Sequence, residues 1–509
     1  MWQIKAMATG DQLRPTLVAW GVIALAVSVM MLPAILGPMM LHDSFWIDYV
    51  WASQFTALLG DGVLYPRWLP WSHDGLGSPV FYYYPPLAFY ITGAFGLAGL
   101  STYASIIATF FLAFVVSGVA AFHWLRDRSQ YPLLGALFFA LAPYHWFDFY
   151  ARGALAESVA IAILPFLAIG LRRIAEGRGW AFAALAYAAI ILSHLPLALL
   201  ASLFLIAPYI LLHRRQWAGF AISGFVGVGL AAIYLVPAIG LERFRDAAQL
   251  WATPFLRPPF WSIYVARWAM PVVLHVHLTA AALAIPALIF AIGWRSRPAL
   301  YALAIVVLAL GVVPLIWSIP LLRAVQFPWR ILPLAELGLA AAFASRMPIG
   351  LVARVLIMAL PLGWMVAITQ LPRDPTPDPV EIEELRVDVS EYLPPGAKNK
   401  PSATHWYRNP REGRIPPPRV EGWVVKPVFY FPSWSCGQPE PKTKLLMHRP
   451  ECVPEIELTI YEKIGGLISV AALIVLLLHQ ALARRRRRYG HVSDGGAMRP
   501  SLRPISRPG

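Results

Sequence analysis

Long apolar blocks separated by short polar stretches dominate the chain. Several blocks approach or exceed the roughly 18–20 residues that a helix needs to cross the hydrocarbon core of a bilayer. Only helices and closed barrels satisfy their backbone in lipid, and these blocks do not read as barrel strands. The pattern therefore predicts an all-α polytopic membrane protein. The blocks are Pro15–Met40, Ile106–Ala121, Ala218–Val236, Leu274–Ile292, Ala299–Leu315 and Gly465–Leu478.

Basic residues lie in the short loops between these blocks, where the positive-inside rule places cytoplasmic loops. The run at about 85–99 is too short to cross and begins with Pro85-Pro86, so we expect an interfacial or re-entrant helix there. With both termini cytoplasmic, the loops predict about twelve crossings. These crossings are 16–40, 101–124, 131–147, 154–171, 179–194, 196–213, 216–238, 274–294, 298–318, 330–345, 350–371 and 464–483.

Polar and aromatic residues gather in the loops predicted to lie outside, at about 41–84, 144–153, 239–273, 319–329 and 372–463. Residues 1–371 form the predicted transmembrane domain, with 41–84 as its large first outer loop. Segment 372–463 is rich in Pro and polar residues, and its strand-like stretches Gly422–Tyr430 and Glu455–Tyr461 predict a small β-containing extracytoplasmic cap. A last transmembrane helix at 464–483 and a basic, disordered cytoplasmic tail at 484–509 follow.

Composition supports the membrane interpretation. Of 509 residues, 58% are hydrophobic and 14% are charged, whereas soluble domains are nearer half apolar and a quarter charged. A net charge of +15 in a soluble protein would suggest nucleic acid. Here the charge lies in the short loops and in the block Arg484–Arg488, so we expect no nucleic-acid partner. Cys436 and Cys452 share the polar segment, which favours a disulfide in an oxidising compartment over two free thiols.

Ionisable residues near the predicted membrane surface are the candidates for chemistry. Asp43 and Asp48 follow the first helix, where partial desolvation raises the basicity of a carboxylate and suits a general base. Glu157 lies at the start of an apolar helix, and an ionisable residue in a membrane segment is a functional hypothesis by default. The alternative for Glu157 is a structural ion pair with Arg152.

Other candidates would bind a substrate. Tyr82-Tyr83-Tyr84 can stack on sugars or belong to the interfacial aromatic belt. His194 either serves the site or ends a helix. Arg330 can bind phosphate or carboxylate through its planar fork, or reach the lipid headgroups. The chain has no Walker loop, dinucleotide fingerprint, HExxH, CxxC or GxSxG motif, so soluble-type nucleotide chemistry is not expected.

Several of these motifs together resemble a family of bacterial membrane proteins known by a "6-pyruvoyl-tetrahydropterin synthase-related domain", although no pterin-synthase metal site is visible. That family is similar in layout to the GT-C glycosyltransferases, which include the YfhO-like proteins. The resemblance covers most of residues 15–480. One departure is Asp48, where the family commonly has His; another is an extracytoplasmic segment shorter than in YfhO-like members. The motifs are His42-Asp43, Tyr65-Pro66-Arg67-Trp68, Gly75–Pro79, Tyr82–Pro86, Tyr150–Glu157, Ser193–Pro196, Phe327–Arg330 and Glu391–Pro394.

The resemblance implies a glycosyltransferase that takes a sugar from a polyprenyl-phosphate carrier. Its acceptor would be a polysaccharide or lipid of the cell envelope, on the outer face of the bacterial cytoplasmic membrane. Membrane lipids would surround it.

By order along the chain, Asp43 and Glu157 match the family's two acidic positions. Asp43 would deprotonate the acceptor hydroxyl, and Glu157 would orient the site or bind a divalent metal; no other cofactor is expected. The remaining positions would bind substrate: Arg152 and Arg330 the carrier phosphate, Tyr82, Tyr83 and Tyr84 the sugar, with Asp48, Arg67 and His194 as further contacts. Two alternatives stay open: a transporter or flippase for lipid-linked glycans, and a non-catalytic scaffold for envelope assembly.

Overall fold

The structure, a computed structural model, describes residues 10–36, 44–251, 254–265, 270–346, 363–364, 367, 388–397 and 420–493. Apolar helices make up most of these residues, as the sequence predicts. The main helices are α1 (Gly10–Leu36), α2 (Phe45–Gly60), α3 (Leu87–Leu97), α4 (Thr102–Leu125), α5 (Pro132–Ala140), α6 (Leu155–Ala175), α7 (Ala181–Ser193), α8 (Leu195–Leu212, with a π-helical turn at Ser202–Ile206), α9 (Trp217–Leu230), α10 (Ala232–Gly240), α11 (Pro271–Trp294), α12 (Arg297–Ala309), α13 (Leu332–Ser345) and α14 (Ile460–Ser493).

Short helical turns connect these elements. Six of them begin with proline, because the fixed φ of proline suits the first turn of a helix. They are Ser72–Gly75, Val80–Tyr83, Pro143–Phe147, Asp148–Arg152, Arg214–Gln216, Glu242–Phe244, Ala247–Trp251, Pro254–Leu256, Pro258–Trp261, Pro314–Trp317, Pro320–Arg323, Pro328–Ile331 and Ser390–Tyr392.

Among the described residues, six helices are long and apolar enough to cross a membrane: Leu13–Leu36, Thr102–Leu125, Leu155–Ala175, Leu195–Leu212, Val272–Trp294 and Ile460–Ala483. A seventh span would be the pair Arg214–Leu230 and Ala232–Gly240, which is bent by 69°. The chain is thus a mostly helical, multi-pass membrane protein. Each of these seven coincides with a predicted crossing.

The predicted number of twelve crossings is not confirmed. The predicted crossing at 131–147 is divided, because α5 ends at Ala140 and Pro143 begins a new turn. Helices α7, α12 and α13 occupy three more predicted crossings but have 13, 13 and 14 residues, fewer than a straight crossing needs. The predicted crossing at 350–371 lies almost wholly outside the described residues. Helix α3, at the predicted interfacial segment, has 11 residues.

The packing of the helices places α6 at the centre of the site described below. Helix α6 lies against α4 and α7; α13 lies against α5 and α12, and α11 packs on α12. The last helix, α14, packs on α9 and α10. The residues of α6 are buried nearly all round, from Leu155 to Ile174, which is the pattern of a helix inside a bundle.

Part of the predicted first outer loop is helical. Its residues Phe45–Gly60 form α2, which packs on α3. The sequence of α2 contains neither Pro nor an interior Gly, and its large apolar residues Phe45, Trp51 and Phe55 are buried. Burial of this kind is the main source of helix stability in a folded protein.

The polar segment carries a three-stranded antiparallel sheet in the order β1-β3-β2, formed by β1 (Val424–Phe429), β2 (Gln438–Pro439) and β3 (Leu445–His448). A disulfide joins Cys436 to Cys452, which confirms that prediction. The strand predicted at Gly422–Tyr430 is also present.

Two predictions at the end of the segment need correction. Glu455–Tyr461 is not a strand, because Thr459 and Glu462 cap the start of α14 as a Thr-x-x-Glu capping box does. Helix α14 itself begins four residues before the predicted span and continues to Ser493, so residues 484–493 belong to a helix and not to a disordered tail. The apolar run ends near residue 483, but nothing in the following arginines breaks a helix.

Candidate functional site

A tight turn before α6 builds the site. Asp148–Arg152 forms a single π-helical turn, and Gly153 follows with φ +63° in the left-handed region. A side chain at Gly153 would collide with Phe45, so glycine is required there. Helix α6 starts at Leu155. The turn brings Arg152 beside Glu157, which their spacing along a regular helix would not do.

Glu157 is the centre of a buried polar cluster. Its side chain is 1% exposed. One carboxylate oxygen, Oε1, accepts a hydrogen bond of 2.6 Å from the Tyr144 hydroxyl. The other, Oε2, accepts a bond of 2.7 Å from Arg152 Nη1. Oε2 also lies 3.8 Å from His194 Nε2 and 3.5 Å from Arg330 Nε. Three cationic or potentially cationic groups therefore converge on one oxygen.

Arg152 is shared between two acidic partners. Its Nη1 contacts Asp148 as well as Glu157, and its guanidinium lies 4.6 Å from the centre of the Trp329 ring. Asp148, which is fully buried, also accepts a hydrogen bond of 3.1 Å from the Ser158 hydroxyl. The ion pair with Glu157 that the sequence offered as the structural alternative is therefore present.

His194 and Arg330 reach the cluster from helix breaks. His194 has extended backbone between α7 and α8. Its side chain lies against Glu157. Among the described residues, no group hydrogen-bonds to its Nδ1. Arg330 lies in the turn Pro328–Ile331 before α13 and donates a bond of 3.0 Å to the Val325 carbonyl. At 13% exposure, the Arg330 side chain is less buried than that of Arg152, at 3%.

Asp48 and Tyr84 border the cluster. Asp48 Oδ2 accepts a hydrogen bond of 3.1 Å from the Leu155 backbone N–H, so this carboxylate caps the positive end of α6. Burial raises the pKa of the Tyr84 phenol well above its ordinary value; nearby Asp48 raises it further, while Arg330 lowers it. Both residues thus lie within electrostatic reach of the Glu157 cluster.

Arg67, Tyr82 and Tyr83 belong to a different contact region. Arg67 forms an ion pair of 2.9 Å with Glu462 at the start of α14. The Tyr82 ring lies 4.6 Å from that of Phe431 in the cap, and the Tyr83 hydroxyl donates a bond of 2.7 Å to the Leu241 carbonyl. These three predicted substrate contacts are buried in packing between the first loop, the cap and α14.

Asp43, the predicted general base, lies outside the described residues. The neighbouring residue Ser44 is described, and its backbone N–H donates a bond of 3.0 Å to the Arg152 carbonyl. Ser44 therefore lies beside the turn that carries Arg152.

Four buried site residues were absent from the sequence prediction: Tyr144, His145, Asp148 and Glu336. Glu336 could have been found, since it is a single acidic residue within the apolar run of α13 and the same reasoning selected Glu157. Tyr144 and Asp148 lie among many aromatic and polar neighbours, and nothing local distinguishes them.

A metal site is not evident in the part of the chain that the structure describes: no three His, Cys, Asp or Glu side chains there are grouped to hold an ion. The chemical resources of the cluster are two carboxylates, two guanidinium groups and one imidazole. Such a set can bind an anion, orient a hydroxyl or stabilise a leaving charge. The fold and this cluster together define a multi-pass membrane protein with a charged site built on an apolar helix.

Comparison with known proteins relates the chain to solved structures alone. No protein-family model matches the chain, and no curated protein matches it. Two solved structures that it resembles are single-particle cryo-EM structures of the arabinofuranosyltransferase AftD from Mycobacteria, one of them a mutant. The first is 20% identical with a TM-score of 0.42, over 70% of this chain and 26% of that one. The mutant is 19% identical with a TM-score of 0.43, over 70% and 27%. The chain thus spans about a quarter of the length of those structures.

Proposed function

We propose that this protein is a membrane glycosyltransferase, which transfers a sugar from a polyprenyl-phosphate carrier to an envelope glycan or lipid. The observation that supports this most is the burial of Glu157, Arg152 and Asp148 at the start of an apolar helix. Replacing buried ion pairs by apolar residues is often neutral or stabilising. A cluster of this kind in a membrane segment therefore favours a functional role over a purely structural one.

The reaction assigns each group a task. Asp43 accepts the proton of the acceptor hydroxyl, whose oxygen attacks the anomeric carbon of the donor sugar. The bond from that carbon to the phosphate oxygen breaks, and the electron pair leaves on the polyprenyl phosphate. Arg330 holds this phosphate, because it is the more exposed of the two arginines. Arg152 is already shared by Asp148 and Glu157, so its task is to hold Glu157 in place.

Glu157 orients the cationic side of the site. With Oε2 facing Arg152, His194 and Arg330, it fixes the direction in which their donors point. His194 Nδ1 then offers a hydrogen bond to the donor substrate. A preorganised donor set of this kind stabilises charge that develops on the leaving group without further rearrangement.

A transporter or flippase for lipid-linked glycans is the second candidate, because the break between α9 and α10 is a discontinuous helix of the sort that transporters use. The break lies at Ala231, whereas Glu157, the centre of the charged cluster, lies on α6. The discontinuous helix and the charged cluster are thus carried by different helices. A scaffold without catalysis is the third candidate, and it requires neither Asp43 nor Glu157.

Complementation of a deletion strain tests the proposal whichever sugar is transferred. Envelope glycans are hydrolysed and their sugars quantified by mass spectrometry in cells carrying wild type, Asp43→Asn, Glu157→Gln or, as a control, Glu242→Gln. Glu242 is a 48%-exposed acidic residue whose ion-pair partner is Arg245, outside the Glu157 cluster; its variant loses an ion pair but should match wild type in the restored sugar. We expect the two site variants to lower the restored sugar by at least about a hundredfold at equal membrane abundance.

Two results would replace this proposal. Full complementation by both site variants favours the scaffold. Accumulation of the intact lipid-linked sugar on one side of the membrane, without release of polyprenyl phosphate by wild type, favours the transporter.

A further inference from the structure

Tyr144 connects two buried carboxylates that belong to different helices. Its backbone N–H donates a hydrogen bond of 2.6 Å to Glu336 Oε1 on α13. Its hydroxyl donates another of 2.6 Å to Glu157 Oε1 on α6. Tyr144 and Glu336 are fully buried, and Glu157 nearly so. A single residue therefore ties the position of Glu157 to that of α13.

Glu336 holds the turn that carries Tyr144 at two points. Besides the Tyr144 N–H, it binds His145 Nδ1 at 2.8 Å through Oε2. Both contacts fall in the short helix Pro143–Phe147, which begins shortly after α5 ends at Ala140. That turn has too few residues to define its own orientation. Two hydrogen bonds from a side chain on the longer helix α13 supply the orientation instead.

The hydroxyl of Tyr144 decides how Glu157 is turned. A carboxylate has two oxygens, and Tyr144 occupies Oε1. Oε2 is thereby left to Arg152, His194 and Arg330. Without the hydroxyl, Glu157 can rotate about its terminal bond, since that torsion is broad. Arg152, Arg330 and His194 would then lose their common partner.

We propose that Tyr144 and Glu336 are positioning residues, which orient the Glu157 carboxylate by way of a tyrosine held at its backbone. The inference rests on the proposed function for its effect on activity, but the orientation itself can be measured without activity. Neither residue contacts the substrate in this scheme, and Glu336 acts only through Tyr144. Because the essential contact with Glu336 is a backbone N–H, a neutral acceptor of the same shape should replace it.

The activity test uses the complementation assay with four variants at equal membrane abundance. Tyr144→Phe should lower the restored sugar roughly ten- to a hundredfold, the effect of losing a hydrogen bond to a charged group. Glu336→Leu should do the same. Glu336→Gln keeps an acceptor for Tyr144 N–H and a partner for His145, and should remain within about threefold of wild type. The matched control is Tyr150→Phe, which loses a part-buried hydroxyl bond of 2.7 Å to the Met30 carbonyl in the adjoining turn and should keep activity.

A thermal-unfolding cycle on purified protein separates the inference from the proposed function. Tyr144→Phe and Glu157→Ala, which leaves no acceptor for the Tyr144 hydroxyl, are measured alone and together, and the double variant should lose clearly less stability than the sum of the two single losses. Additive losses would overturn the inference whatever the activity. Glu336→Gln as inactive as Glu336→Leu would also overturn it, because the charge would then matter and not the position. Coupled losses with no transferase activity in wild type would keep the orientation and reject the glycosyltransferase.

Discussion

The ion pair between Arg67 and Glu462 offers a quantitative test of the fold. Arg67 Nε lies 2.9 Å from Glu462 Oε1, and the two side chains are 8% and 3% exposed. Arg67 Nη2 also donates a bond of 2.9 Å to the Ile233 carbonyl. Glu462 has a second task, because its Oε2 accepts a bond of 2.8 Å from the Thr459 N–H at the start of α14. The change Glu462→Gln separates these two tasks.

Glutamine serves in a capping box as glutamate does, so Glu462→Gln keeps the helix cap and removes only the charge. Arg67 is then a buried cation without its partner, and breaking a buried pair in this way costs about 3–5 kcal/mol. Adding Arg67→Met removes the uncompensated charge. The Ile233 carbonyl then loses its donor, which costs about 1–3 kcal/mol. We therefore expect the double variant to recover roughly 2 kcal/mol relative to Glu462→Gln alone.

Denaturant titration in detergent micelles, followed by tryptophan fluorescence, measures these differences. The control is Glu457→Gln, an exposed acidic residue three positions before the helix, whose free energy of unfolding should change by less than about 0.5 kcal/mol. A loss below about 1 kcal/mol for Glu462→Gln would refute the reasoning. So would a double variant that is no more stable than the single one.

Two further predictions concern the backbone and the cap. Gly153→Ala should destabilise the protein by more than about 3 kcal/mol, because the new Cβ collides with Phe45. The control Gly177→Ala is also at positive φ but has no described atom within 4 Å, so it should cost only about 1 kcal/mol. Equal midpoints of thermal unfolding for the two variants would contradict the steric account. Cys436→Ser should weaken the cap by about 3 kcal/mol, seen as faster proteolysis between residues 436 and 452. The double variant with Cys452→Ser should match it, since one bond is lost in both; further acceleration in the double variant would argue against the disulfide as the cause.

The sequence predicted those features that depend on local composition. Apolar length located the seven spans, and a single acidic residue in an apolar run marked Glu157. Hydropathy could not show that the helix axis breaks at Ala231 or before Pro143, because a break persists only where distant groups bind the freed backbone. For the same reason the ion pair of Arg67 could not be predicted, since its partner Glu462 is 395 positions away in the chain and no local pattern connects the two. The role of Asp43 stays a prediction.

The break between α9 and α10 has a consequence for the time course of synthesis. The carbonyls of Gly229 and Leu230 share the Ser469 hydroxyl proton, and the Ile233 N–H donates to the same oxygen. Ser469 is translated 236 residues after Ile233, a delay of roughly 10–50 s at ordinary elongation rates. During that interval the break lacks its partner, so a lipid-exposed break would be unfavourable by several kcal/mol per unpaired group. The nascent chain therefore needs water, another helix or an insertion chaperone at this point until its last helix arrives.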